Sequence, residues 1–285
     1  MTITSSIMKT AKTILILCAA AVCFASCKEE VDMTLRQNTL FENAEIQQIE
    51  ASDAWEVTVV ADTASTFVEV AYSAYLQDHV EVKMEGRKLE IGFAGTVYPE
   101  INSVYRATVH LGTLERVEAN AGAVVKFQGD FTGPQLGVSL SEASVCNGLS
   151  WRGTKAEIKL EGASKLSGFQ FVGDSCKADL EGASQLNGAM QASGRIEIDL
   201  KDASRLVNKG GATGEADIAL QAASLLNLSL TQVERMHVAL SGGSEATVHV
   251  VSLLEGSLTD GATLYYQGAP QIDVDCSDDS RIVPL

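Results

Sequence analysis

The chain has 285 residues, enough for one large repeat domain or two modest ones. Aromatic residues make up 6% of it, with four prolines and 24 glycines, which suits many tight turns joining thin strands around a narrow interior. The formal charge of −16 argues against nucleic acid as a partner and against an electrostatic grip on anionic lipid, since both need a basic face.

The first segment reads as an address. Lys9 and Lys12 precede an apolar run from Ile14 to Ala25, too short to span a bilayer and arranged like a cleaved export signal. Met8 makes a more compact start than Met1. Phe24-Ala25-Ser26-Cys27 resembles a bacterial lipobox, with phenylalanine where the pattern prefers leucine. This predicts a lipoprotein signal peptide over 1–26, lipidation of Cys27 and a tether over 27–36. An ordinary secretory signal is the alternative. Lys28-Glu29-Glu30 resembles the short tag of surface-exported lipoproteins in Bacteroidota, or is a solvated charge cluster.

Residues 37–112 hold alternating segments without a fixed period: Trp55-Val57-Val59, Val68-Val70-Tyr72, Val80-Val82-Met84 and Leu89-Ile91-Phe93. Glu85-Gly86-Arg87-Lys88 joins two of them as a hairpin-like turn. The expectation is a small antiparallel β region that caps the remainder of the chain.

From residue 113 a period of 20 takes over. Leu140, Leu160, Leu180, Leu200, Leu220 and Leu240 stand in register, and four residues after each comes Ser144, Ser164, Ser184, Ser204, Ser224 or Ser244. Within a copy, as in Ile196-Glu197-Ile198-Asp199-Leu200, the alternation is that of a strand with one buried face. Small residues such as Glu181-Gly182-Ala183-Ser184 suit a corner. A copy has no room for a helix with its own apolar stripe. The fold expected is all-β, a right-handed parallel β-helix or solenoid of about 20-residue coils over 113–285, preceded by the antiparallel region.

Stacked coils turn these positions into structural ladders. Leucines fill the interior, and serine hydroxyls can run head to tail because each both donates and accepts. Outward, Glu157, Lys177, Glu197, Asp217 and His237 form one column. Asp179 beside Asp199 is a solvated like-charge pair or a cation site. Val117–Phe127 reads as a lead-in coil shifted by about one residue. The copy starting at Leu258 reads as one residue shorter, and a final strand is expected near Ile272–Val274.

With these residues in view, the chain resembles the Bacteroidota family of the auto-transporter adhesin, head GIN domain. The Gly-Ala-Ser coils, the lead-in Phe41-Glu42-Asn43-Ala44-Glu45-Ile46 and the late turn Tyr266-Gln267-Gly268-Ala269-Pro270 carry the likeness, over about residues 37–284. The resemblance implies a β-helical fold and a cell-surface role, and it brings no catalytic residues.

No His79, His110, His237 or His249 pairing has zinc-ligand spacing, and no nucleophile elbow, phosphate loop or dinucleotide fingerprint occurs. No catalytic residue, metal or cofactor is expected. Cys146 falls in the column of Leu166, and Cys176 in that of Ile196, as small buried residues; a disulfide among these and Cys276 stays open. Trp151 and Phe171 stack as core or form a ligand platform for sugar. The function expected is a non-enzymatic, lipid-anchored outer-membrane protein, a surface adhesin or binding module for an unknown glycan or protein. The alternatives are a structural envelope protein facing the periplasm and a β-helix carbohydrate-active enzyme.

Overall fold

Alternation of apolar and polar residues becomes, in the computed structural model, a stack of strands whose inward side chains meet in one core. The structure describes residues 31–277 and 279–285. The chain divides into two units, Met1–Met33 and Thr34–Leu285, and the second carries the fold. The signal peptide, the choice of start, Cys27 and the tether up to residue 30 lie outside the described residues.

The second unit is an all-β solenoid of about eight turns with ~20-residue coils. Nine strands form its N-terminal region. They are β1 (Leu35–Leu40), β2 (Gln48–Ala51), β3 (Glu56–Ala61), β4 (Phe67–Ser73), β5 (Val80–Glu85), β6 (Lys88–Phe93), β7 (Tyr105–Leu111), β8 (Arg116–Ala119) and β9 (Val124–Gln128). Then come β10 (Asp130–Leu140), β11 (Val145–Asn147), β12 (Ser150–Leu160), β13 (Lys165–Leu180), β14 (Gln185–Leu200), β15 (Arg205–Asn208) and β16 (Ala212–Leu220). The stack ends with β17 (Leu225–Leu240), β18 (Glu245–Leu258), β19 (Thr263–Gln267), β20 (Gln271–Cys276) and β21 (Arg281–Pro284).

On the face that ends at the ladder leucines the parallel register advances by one full period per coil from β10 to β17, so that Leu160 faces Leu180 and Leu180 faces Leu200, while between β13 and β14 it slips by one residue over Phe169 to Gly173, where Phe171 faces Met190. The ends depart from it. Val117 pairs with Val138, one residue more than the period, as the shifted lead-in coil predicts. Leu240 pairs with Leu258, which makes that coil two residues shorter than the period rather than one.

The stretch 37–112, expected to be antiparallel, is mixed. β1 pairs with β4, β4 with β7 and β5 with β6 in antiparallel fashion. β2 and β3, however, are parallel to β8 and β9 on one side and to β6 and β7 on the other. The chain therefore forms a first rung from β2 and β3, leaves it to build β4–β7 beneath, and resumes the stack at β8. Antiparallel β4 and β5 cover the outer edges of β7 and β6, which would otherwise offer unpaired strand edges. A 3-10 turn at Ala74–Leu76 places the fully buried Leu76 in the core.

The corners explain the Gly-Ala-Ser signature. In Glu161–Ser164 the two central residues are left-handed, with φ of 60° at Gly162 and 64° at Ala163, and the Ser164 amide donates to the Glu161 carbonyl at 3.3 Å. This is the pattern of a type I′ turn. Alanine holds the second left-handed position in five successive corners, Ala143, Ala163, Ala183, Ala203 and Ala223. Such a conformation costs an alanine about 1–2 kcal/mol. Stacking offsets the cost, because each of these amides donates to the carbonyl of the next corner: Ala163 to Gly182 at 2.7 Å, and Ala183 to Asp202 at 2.8 Å.

Candidate functional surface

A β-strand sends alternate side chains inward and outward, so a stack of registered strands has two kinds of column, and the predicted residues divide between them. Leu140, Leu160, Leu180, Leu200, Leu220 and Leu240 all point inward and are buried. The six serines, Ser144, Ser164, Ser184, Ser204, Ser224 and Ser244, are buried as well.

Their hydroxyls do not run head to tail. Ser164, Ser184, Ser204 and Ser224 each donate to the carbonyl three residues earlier, at 2.6, 2.6, 2.5 and 2.7 Å. Ser144 instead donates to Ala119 at 2.8 Å, and Ser244 to Leu220 at 3.4 Å. The reason is distance. Neighbouring strands stand about 4.8 Å apart, beyond the reach of an O–H···O bond, while the corner's own first carbonyl lies within it.

Trp151 and Phe171 do stack, with ring centroids 6.0 Å apart and planes 9° from parallel, but both are buried, so they give no platform to a ligand in solvent. The Trp151 indole donates to the Leu114 carbonyl at 3.1 Å, which satisfies its polar edge inside the core. The rings need room that only glycine leaves. A Cβ on Gly173 would stand 2.4 Å from the Gly153 carbonyl and 2.5 Å from the Phe171 ring.

Cys146 and Cys176 are buried and pair with Leu166 and Ile196 as their columns predict, while Cys276 is exposed; all three are free thiols. Burial pushes both buried thiols up, Cys176 to about 12, which keeps them protonated and poorly nucleophilic.

The outward column is in register from Glu157 through Lys177, Glu197 and Asp217 to His237. Lys177 bridges to Glu197 at 2.7 Å, and Arg195 to Asp217 at 2.8 Å. The Asp179–Asp199 pair receives its countercharge from lysine: Lys201 stands 2.9 Å from Asp199, and Lys177 stands 3.7 Å from Asp179. Burial nonetheless raises the Asp179 carboxyl above its ordinary value. Among the described residues no group of three or more His, Cys, Asp or Glu side chains could hold a metal ion.

Sequence reasoning missed Asn208. It is buried where β15 stops short, and its side chain replaces missing strand pairing. Oδ1 accepts from the Met190 amide at 2.6 Å, while Nδ2 donates to the Met190 carbonyl at 3.1 Å and to Thr231 Oγ1 at 2.8 Å. The signal was the break itself: Asn208-Lys209-Gly210-Gly211 interrupts an otherwise regular copy.

The model of the family described as "Putative auto-transporter adhesin, head GIN domain" matches residues 45–270. No curated protein matches the chain. Solved structures that share its fold include the following three. A putative adhesin from Parabacteroides merdae has 13% identity and a TM-score of 0.68, covering 88% of this chain and 96% of its own. A putative adhesin from Parabacteroides distasonis has 16% identity and a TM-score of 0.63, covering 89% and 98%. A putative lipid binding protein from the same species has 14% identity and a TM-score of 0.63, covering 90% and 98%. At these identities the likeness is one of fold.

Proposed function

From the premise that this chain belongs to the auto-transporter adhesin, head GIN domain family, we propose that it is a non-enzymatic binding module of the cell envelope, held by lipid at Cys27 in the outer membrane and exposed at the cell surface. The observation that carries this reading is the face that ends at the ladder leucines, where the parallel register keeps a strict period of 20 from Val138 through Ile158, Ala178, Ile198 and Ile218 to Val238. It sets outward side chains in straight columns at rung spacing, on a core that is rigid because every rung is hydrogen-bonded to the next. Such a surface presents groups at fixed intervals to a partner. The short signal, the lipobox-like Phe24–Cys27 and the acidic Lys28-Glu29-Glu30 start support the anchored location.

Protease shaving of intact cells, with Cys27→Ala as the anchor control, tests the proposal. Wild-type protein should be cleaved on intact cells, and Cys27→Ala should leave the membrane fraction. Protection until the outer membrane is opened would overturn the adhesin reading and leave a structural role facing the periplasm.

A further inference from the structure

Most lysines and arginines among the described residues sit in ion pairs, as Lys83, Lys88, Lys155, Lys159, Lys177 and Lys201 do. Lys165, Arg205 and Lys209 are among the exceptions. All three are exposed, none has a carboxylate partner among the described residues, and all three line one hollow of about 330 Å³ on the face that follows the corner serines. The lining is completed by Ser167, Gln185 and Asn187 among others, and it contains no carboxylate.

The register assembles this place. Lys165 pairs with Gln185 and Gln185 with Arg205, so the two cations stand two rungs apart, about 10 Å, with an amide between them. In the next outward column Ser167 pairs with Asn187. Lys209 is held at the rim by its own amide, which donates to the Gly188 carbonyl at 2.7 Å. Asn187 lines the hollow beside them, and its amide brings both a donor and an acceptor.

We infer that this hollow binds an anionic saccharide, its acidic groups on Lys165, Arg205 and Lys209 and its hydroxyls on Ser167, Gln185 and Asn187. The inference rests on the binding-module reading and names the ligand class for it. Three features favour this class over other anions. Amides and a hydroxyl, which both donate and accept, alternate with the cations, and that matches a ligand carrying hydroxyls between its charges. No aromatic ring lines the hollow, so a stacking platform for nucleotide bases is lacking. The chain's formal charge of −16 repels a long, densely charged polymer, while a few local cations still attract a short oligosaccharide.

The test measures binding of the full chain, purified in detergent, to a heparin-derived oligosaccharide, a polygalacturonate-derived oligosaccharide, a neutral dextran oligosaccharide and polyglutamate. At least one anionic saccharide should bind, dextran and polyglutamate much less, and added salt should weaken the binding. The sulfated and carboxylated arms identify which acid is read. Lys165→Glu/Arg205→Glu should weaken binding at least about tenfold, and Arg205→Gln, the milder variant, should weaken it by several-fold. Lys155→Glu/Lys159→Glu, with the same change in net charge away from the hollow, should leave it within about twofold. Failure of both anionic saccharides to bind, equal loss in the two double variants, or equal binding of polyglutamate would each overturn the assignment. A chain shaved from intact cells that binds neither saccharide keeps the adhesin reading and loses this site; a chain protected inside the envelope loses the adhesin reading whatever the saccharides do.

Discussion

Residues 137–258 and residues 34–112 use the same two-residue alternation but reach stability by different routes. In the first region each rung lies between two rungs of nearly identical shape, and a leucine or serine meets its own kind above and below. In the second, each rung is singular. Trp55, Phe93 and Tyr105 fill the core as an aromatic cluster with centroids 5.4 to 6.0 Å apart, Leu76 enters from a 3-10 turn, and antiparallel strands cover the edges. Repetition distributes stability over neighbouring interfaces, so a fault in one coil separates its two sides. A cap built from unique contacts concentrates its weakness where the contact is made.

Leu200→Asp breaks the comparison hardest. It places a carboxylate between Leu180 and Leu220 in a closed interior, at a cost of about 4 kcal/mol. The melting temperature should fall by roughly 10 °C, and hydrogen exchange should rise on both sides of the substituted coil. Leu76→Asp should instead expose β4 and β7 to exchange and leave the coils after Gly137 protected. Equal loss of protection throughout the chain in both variants would mean that cap and solenoid unfold as one unit.

Asn208→Leu gives the next largest effect and probes the one place where the repeat borrows the cap's strategy. The side chain is buried and its polar atoms are satisfied by Met190, Gly210 and Thr231. Leucine would fit the space and leave the Met190 amide and carbonyl without partners, a loss of about 3 kcal/mol. A chemical denaturation midpoint unchanged from wild type would show that water replaces those bonds at no cost.

Period and alternation made the ladder legible because identical residues in register leave few other packings. The serine column was half legible. Its burial follows from its place in the repeat, but the partner of the hydroxyl depends on turn geometry that residue type alone does not reveal. Rung order ahead of the repeats was hidden for a topological reason: β2 and β8 are direct neighbours, yet Gln48 and its partner Arg116 lie far apart in the sequence, with β3 to β7 between them and no shared period. The basic hollow was within reach, since Lys165 and Arg205 lie two periods apart and must fall in one column. What hid it was that its significance comes from missing carboxylates, and a column reading registers only what is present.

The smallest effect concerns acid, and it sharpens the contrast at the level of charge. On β5, β6 and β2 the Glu90 carboxylate takes a 2.6 Å contact from Lys88 and a 3.0 Å contact from Lys83, and Lys88 also reaches Glu50 at 2.8 Å. Hydrogen bonding from the Lys88 ammonium, and then from Lys83, holds Glu90 well below its ordinary value of 4.5, at about 2. A carboxylate depressed by folding stabilises the folded state above its unfolded value, and that contribution drains away as pH falls from about 4.5 through about 2. In the coils two shifts oppose each other. Glu197 is lowered by Lys177, whereas Asp179 is raised by burial, so acid removes one contribution and relieves the other. Acidification across this window should therefore raise hydrogen exchange in β5 and β6 before it does so in β13 and β14, and Glu90→Gln should flatten the response of β5 and β6. A Glu90→Gln protein whose hairpin still loosened over the same interval would assign the acid response to carboxylates other than this one.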